Sequence, residues 1–199
     1  FNQNNVEANL IAARFAIAEM LGPQEWGTTL ERAEGDIEAY VEERAEEAID
    51  RLGHILVIDP GHVSARLLLG MVYYENEMFH RLVGLFEDYR RGSPEKAEPY
   101  FMLSLALSAQ GDEEHGKIAF AHGLNRLAQD DRYLRAGFIL HEPTEQTPEA
   151  LGILWAREDP LLLTPTNERL MEHFQRVAYA NLRFSEDAEM RTGWESDRG

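Results

Sequence analysis

The chain has 199 residues, of which 44% are hydrophobic and 28% are charged, a composition typical of a globular protein with a buried core. Its 36 acidic and 19 basic residues give a formal net charge of −17 at pH 7, which disfavours nucleic acid and anionic membrane surfaces as partners. The absence of cysteine excludes disulfides and thiolate metal ligands. No apolar run approaches the roughly 20 residues of a membrane helix, so we expect no membrane insertion.

Apolar residues recur with a helical period along the whole chain, which predicts an all-α fold. The first predicted helix runs from about Val6 to Leu21 and forms an N-terminal helix or arm within residues 1–28. Its apolar stripe contains Leu10, Ala13, Phe15, Ala16 and Ala18. A second predicted helix extends from Ala45 to Ile58, after a strongly acidic stretch that we interpret as a solvent-facing surface.

An internal period of 34 residues follows, first visible between Pro60 and Pro94. Three further pairs keep this spacing: Gly70 with Ser104, Asn76 with Gln110, and Phe86 with Phe120. Each period holds a helix, a short turn and a second helix. Because a helix pair cannot bury both of its apolar faces alone, such units stack on their neighbours. We predict about three units within residues 29–129, the clearest at 63–96 and 97–130.

Both of these units carry large, small and aromatic residues at fixed positions. The first supplies Arg66, Leu69-Gly70, Tyr73, Phe86 and Pro94, and the second supplies Tyr100, Leu103-Ser104, Gly116, Phe120 and Gly123. This pattern resembles the tetratricopeptide repeat (TPR), although Leu82 and Tyr89 are bulkier than that family prefers. The resemblance implies a TPR-like solenoid of antiparallel helix pairs, here with flanking N- and C-terminal helices. In TPR proteins the first helices line a concave face that receives peptides or partner helices.

Repeat position assigns the candidate groove residues of this concave face. They are Leu67, Met71 and Tyr74 from the first unit, and Phe101 and Leu105 from the second. As an alternative, the helices that follow Asp130 cover these positions, because those helices must also pack somewhere. The sequence leaves both interpretations open.

Residues 130–199 lose the period and are predicted to form C-terminal helices. Thr147-Pro148 predicts a helix start, with threonine as the cap and proline at the first helical position. Thr164-Pro165 predicts the start of another helix in the same way.

A second pattern in this region lies at residues 154–160, 166–169, 176–180 and 193–199. Together these segments resemble the entry to a GWxTD domain, whose Gly-Trp-x-Thr-Asp motif corresponds to Gly-Trp-Glu-Ser-Asp here, with Ser196 in place of the threonine. The resemblance implies an exported bacterial protein, periplasmic or extracellular. Because the chain begins at Phe1 and the motif falls at the last residues, we expect a segment of a longer protein, with a signal upstream and most of that domain missing.

No constellation of catalytic or metal-binding residues stands out. His115 and His122 are two helical turns apart, whereas zinc sites on helices favour spacings of three or four, so we interpret them as surface histidines. Neither a Gly-x-Ser-x-Gly motif nor a phosphate-binding glycine loop occurs. The second resemblance singles out Trp194 and Asp197, for which a structural role is expected. We therefore expect no enzyme activity, no metal and no cofactor.

The sequence thus favours a non-catalytic scaffold for a protein or peptide partner, with copies of the chain itself among the candidates. One alternative is a self-assembling structural subunit of an extracellular filament or surface layer, in which the first helix caps the solenoid or reaches a neighbour. A third is an enzyme of unknown type that acts through the truncated GWxTD domain.

Overall fold

A computed structural model describes residues 3–25, 37–129, 131–139, 146–159, 165–184 and 193–195. Within these ranges it contains nine α-helices and no β-strand, so the predicted all-α fold is confirmed. The helices are α1 (Gln3–Glu25), α2 (Ile37–Ile58), α3 (Val63–Glu75), α4 (Phe79–Gly92), α5 (Glu98–Gln110), α6 (Glu113–Leu124), α7 (Asp131–Ala136), α8 (Pro148–Ala156) and α9 (Glu168–Phe184). In the described part of the chain, no helix is both long and apolar enough to cross a membrane.

The chain divides into two compact units, residues 1–78 and 79–199. Neighbouring helices contact each other within both units, as the predicted helix-pair solenoid requires: α1 with α2 and α2 with α3 in the first, α4 with α5 and α5 with α6 in the second.

In the first unit, α1 packs along α2, and both helices are longer than predicted. The buried side chains are Ala13, Ala16, Ile17 and Met20 of α1 and Ala45, Ala48, Leu52 and Ile55 of α2. The many alanines allow the two helices to approach closely. Beside this contact, Arg44 of α2 pairs with Glu47 at 2.7 Å and lies 3.8 Å from Glu19 of α1.

The 34-residue period recurs in the backbone at two helix C-termini, one in each unit. At the end of α3, the N–H of Met78 donates to the carbonyl of Tyr73 (2.8 Å), and the N–H of Glu77 donates to that of Tyr74 (3.1 Å). At the end of α5, the N–H of Asp112 donates to the carbonyl of Leu107 (2.9 Å), and the N–H of Gly111 donates to that of Ser108 (3.0 Å). Glu77 and Gly111 both adopt left-handed backbone conformations, with φ of 56° and 90°. Both termini are therefore copies of one motif, the Schellman helix end.

The proline before each of the two 34-residue repeats accepts a hydrogen bond, through its carbonyl, from a long side chain six residues later. Arg66 donates to the carbonyl of Pro60, and the Tyr100 hydroxyl donates to the carbonyl of Pro94 at 3.2 Å. Arg66 and Tyr100 are the repeat-equivalent large residues, and both are buried. Arg126 also donates to Pro94 at 2.6 Å, and its guanidinium lies 4.0 Å over the Tyr100 ring. The large residue at this position therefore anchors the loop that leads into the repeat.

In the second unit α5 is central, since α4, α6 and α9 all contact it and residues 99–106 are buried without interruption. α9 adds a broad buried face: Leu170, Met171, Phe174, Val177, Ala178, Ala180, Asn181 and Leu182. Each large apolar side chain buried in this way contributes on the order of 1.5–3 kcal/mol. We conclude that α9 belongs to the core of this unit.

The start of α8 agrees with its prediction, whereas the start of α9 does not. The Thr147 hydroxyl accepts the N–H of Ala150 at 3.1 Å and caps α8. α9 begins after Asn167 rather than at the predicted Thr164-Pro165, because Asn167 Oδ1 accepts the N–H of Leu170 at 2.8 Å. An asparagine side chain is as good a cap as threonine, and Thr164 itself lies outside the described residues.

Candidate interaction surface

The three groove candidates of the first unit lie on α3. Leu67 and Met71 are buried, at 7% and 3% exposure, and Tyr74 is half-buried. Burial raises the pKa of the Tyr74 hydroxyl, and the neighbouring Glu75 carboxylate adds to the effect. Tyr74 is therefore the candidate of this unit that retains access to solvent.

The two candidates of the second unit lie on α5 and are both buried. Phe101 has no exposed surface, and Leu105 is 8% exposed. The Phe101 ring stacks on Phe174 of α9, with centroids 4.3 Å apart and planes within 8°. Tyr133 and Phe120 complete the aromatic cluster around it, at 5.3 Å and 5.8 Å.

Polar contacts hold α9 on the same face of α5. The side-chain amide of Gln175 donates to the hydroxyls of Ser104 and Ser108, at 3.2 Å and 2.9 Å. The C-terminal part of the chain therefore covers Phe101, which is the alternative that the sequence left open. A partner reaches Phe101 only if α9 moves, and partner binding by the five candidates stays a prediction.

The small residues of α6 make room for α5. A Cβ added at Gly123 would lie 2.7 Å from Phe101 Cε1, and one at Gly116 would lie 2.8 Å from Ser108 Oγ. Both distances are too short for a real Cβ atom. Gly116 and Gly123 thus occupy positions where the repeat pattern has small residues, because a larger side chain would collide with Ser108 or Phe101 of α5.

Residues of the segments that resemble the entry to a GWxTD domain connect α8 and α9 with the residues around them. Trp155 Nε1 donates to the carbonyl of Gly137 at 3.0 Å, and the Asn167 amide donates to the carbonyl of Trp155 at 2.7 Å. Gly193 packs so closely on α9 that any Cβ would collide with the backbone of Ala180.

Two successive hydrogen bonds connect Trp194 of the last segment, through Asn181 of α9, to Tyr133 of α7. The backbone N–H of Trp194 donates to Asn181 Oδ1 at 3.3 Å, and the Asn181 amide donates to the Tyr133 hydroxyl at 2.8 Å. These contacts give Trp194 a structural position. Ser196 and Asp197 lie outside the described residues.

His115, one of the two histidines that the sequence analysis considered as metal ligands, contacts the helix cap of α6, which is Asp112. His115 Nδ1 lies 2.9 Å from Asp112, whose carboxylate also accepts the backbone N–H of His115 at 3.3 Å. This hydrogen bond and the attraction of opposite charges raise the pKa of His115 and lower that of Asp112. The described residues contain no group of three or more candidate metal ligands.

A surface that the sequence interpretation missed lies on α1. Phe15 and Ile11 are 69% and 49% exposed, and Ala8 and Ala18 beside them are also exposed. The predicted stripe placed Phe15 and Ala18 with Ala13 and Ala16, but only the latter pair is buried. The spacing 8, 11, 15, 18 was the available signal, because it defines a helix face of its own.

Comparison with known proteins agrees with the repeat character. The chain is similar to the TPR repeat-containing protein YpiA of Bacillus subtilis (strain 168), with 29% identity over 136 residues. The chain is TPR-like. The match covers 67% of this chain and 31% of YpiA, so the chain spans about a third of the length of this curated relative. No protein-family model and no solved structure matches the chain.

Proposed function

We propose that this TPR-like chain is a non-catalytic scaffold that binds a protein or peptide partner. The observation that carries the proposal is the repeated helix end at Glu77 and Gly111, together with the repeated side-chain contact to Pro60 and Pro94. A regular period aligns successive helices and so builds an extended binding surface. The similarity to YpiA supports the repeat character on which this role depends.

We place the partner surface around Tyr74 on α3. Its ring is half-buried and Glu75 beside it is exposed, so a partner gains both an aromatic contact and a negative charge there. Leu67 and Met71 form the buried support on the same helix. Phe101 and Leu105 are buried on α5 in the second compact unit, and Phe101 would reach a partner there only after movement of α9.

Affinity capture with Tyr74→Arg tests this surface. We expect a partner retained by the wild-type protein to be lost, while the helical circular dichroism stays unchanged. Val57→Arg is the matched control, because Val57 is 81% exposed and is not a groove candidate. A partner set that is the same for Tyr74→Arg and wild type would contradict the proposed groove.

The full gene product is further proposed to be an exported bacterial protein whose C-terminal helices lead into a GWxTD domain. The sequence segments around Trp155, Asn167 and Gly193 support this, since they resemble that family. A fusion of the full gene product to alkaline phosphatase, which is active only outside the cytoplasm, tests export. An inactive but intact fusion would contradict it.

A self-assembling structural subunit is the second candidate function. The exposed apolar face of α1 is the observation that favours it.

A further inference from the structure

α1 is apolar on two opposite faces. One face packs on α2 through Ala13, Ala16, Ile17 and Met20. The other, which we call the outer face, consists of Ala8, Ile11, Phe15 and Ala18, all exposed. No charged residue interrupts it over three turns, although 28% of the chain is charged. A contiguous apolar surface of this kind marks a contact with another molecule.

The spacing of the outer face is that of a coiled-coil seam. Steps of three, four and three residues place Ala8 and Phe15 at heptad position a, and Ile11 and Ala18 at position d. Ile11 and Phe15 supply bulk at the centre, and the alanines on either side allow a second helix to approach closely. Such a face is complementary to an identical copy of itself.

Packing on α2 keeps α1 helical before any second copy binds. A seam of about two heptads cannot hold two free peptides together in water, because short isolated helices are marginal. α1 spans 23 residues and is fixed along α2, so association does not also have to form the helix.

The charges beside the seam select the relative direction of the two helices. Arg14 is at heptad position g and Glu19 at position e. In a parallel pair, each g side chain meets the e side chain five residues later on the other helix, so Arg14 meets the Glu19 carboxylate of the second copy, twice by symmetry. Arg44 lies 3.8 Å from Glu19 and would add a second cation at the same carboxylate. An antiparallel pair would bring the two Arg14 side chains near each other.

We propose that the outer face of α1 is a self-association surface, on which α1 pairs in parallel with α1 of a second copy of the chain. The face consists of four residues, whereas a stable interface takes roughly 20–30 residues a side, so we expect weak association with a dissociation constant on the order of 10–100 µM. The inference is independent of the groove around Tyr74, and a monomeric chain would leave that proposal standing.

Sedimentation equilibrium of the full chain over a range of concentrations tests the surface. Wild-type protein is expected to pass from monomer to dimer, and Phe15→Glu is expected to remain monomeric, since it places a charge in the seam. Val57→Glu is the matched control, because it adds the same charge at another exposed apolar residue of the same unit and should still dimerise. A wild-type chain that is monomeric up to millimolar concentration overturns the proposal.

Cysteine cross-linking tests the direction, and the chain offers a clean background because it has no cysteine of its own. In the parallel pair, Ala18→Cys lies opposite itself, so that variant alone should form a covalent dimer under mild oxidation. A dimer that cross-links only when Ala8→Cys and Ala18→Cys are mixed would be antiparallel and would overturn the charge argument. A dimer in which neither variant cross-links would use another surface, which overturns the proposal as a whole.

Discussion

Whether a helical glycine can be replaced by alanine depends on which atoms lie near the position of the added Cβ. Gly123 of α6 faces the Phe101 ring, with 2.7 Å between the added Cβ and Phe101 Cε1, whereas Gly84 of α4 has no atom within 4 Å. We expect Gly123→Ala to lower the free energy of unfolding by about 1–3 kcal/mol through overpacking. Gly84→Ala should raise it by about 0.5–1 kcal/mol, since alanine favours the helix. Urea unfolding of both variants measures the difference, and equal shifts would contradict the packing around Phe101.

Glu77 adopts a left-handed backbone conformation, as does Gly111, its equivalent in the next repeat. A side chain with a Cβ is strained at a φ of 56°, whereas glycine is not. We expect Glu77→Gly to raise the free energy of unfolding by about 0.5–1 kcal/mol. Gly111→Ala is the reciprocal variant and should lower it by a similar amount. A destabilised Glu77→Gly protein would show that this glutamate has a compensating role.

The Asp112–His115 cap predicts a defined pH window. The pKa of His115 is raised above 6.5, so its stabilising effect is complete below pH 6.5 and is lost as the pH rises through the raised value. The pKa of Asp112 is lowered below 3.8, so its effect is present above pH 3.8 and is lost as the pH falls through the lowered value. Both groups are therefore charged together between these limits.

Titration by NMR of the His115 ring in wild type and in Asp112→Asn checks this window. Asparagine preserves a helix cap but removes the charge. We expect the pKa of His115 to fall back toward 6.5 in the variant. An unchanged pKa would mean that Asp112 does not control the charge of this histidine.

At the scale of elements, α9 decides whether Phe101 is available to a partner. Because Phe174 is fully buried and stacks on Phe101, we expect the amides of α9 to exchange with the same protection as those of α5. Phe174→Ala should lower the free energy of unfolding by about 3–5 kcal/mol and reduce the protection of both helices together. Arg176→Ala is the control, because that side chain is exposed and its ion pair with Glu172 contributes little. Markedly weaker protection of α9 than of α5 would identify it as a displaceable cover and restore the groove at Phe101.

The elements also differ in how far the sequence alone determines them. α3 to α6 and the turns between them follow from a 34-residue period, because helix ends, turn residues and buried faces are local properties that repeat. The placement of α9 has no comparable signal: Gln175 meets Ser104 across 71 positions, and an apolar helix face does not reveal which other face it will cover. α1 shows the same limit, since its residues are small and apolar on two faces and only packing on α2 separates the buried Ala13 from the exposed Phe15.

At the scale of the whole molecule, the net charge of −17 opposes association between copies. Salt acts on this repulsion and on the Arg14–Glu19 contacts in opposite directions. The contacts lie at the rim of the seam and contribute about 0–1 kcal/mol each, whereas the repulsion sums over all charges of both copies.

Repulsion should therefore dominate the salt dependence. The screening length falls from about 20 Å at roughly 20 mM salt to about 7 Å at roughly 200 mM, which removes most long-range repulsion and leaves the apolar contact of Ile11 and Phe15 intact. We expect self-association measured by sedimentation velocity to strengthen over this range of NaCl concentration, and Arg14→Gln to show the same trend at lower affinity. Association that weakens with salt in the wild type would mean that charge pairs, rather than the outer face of α1, provide the main attraction.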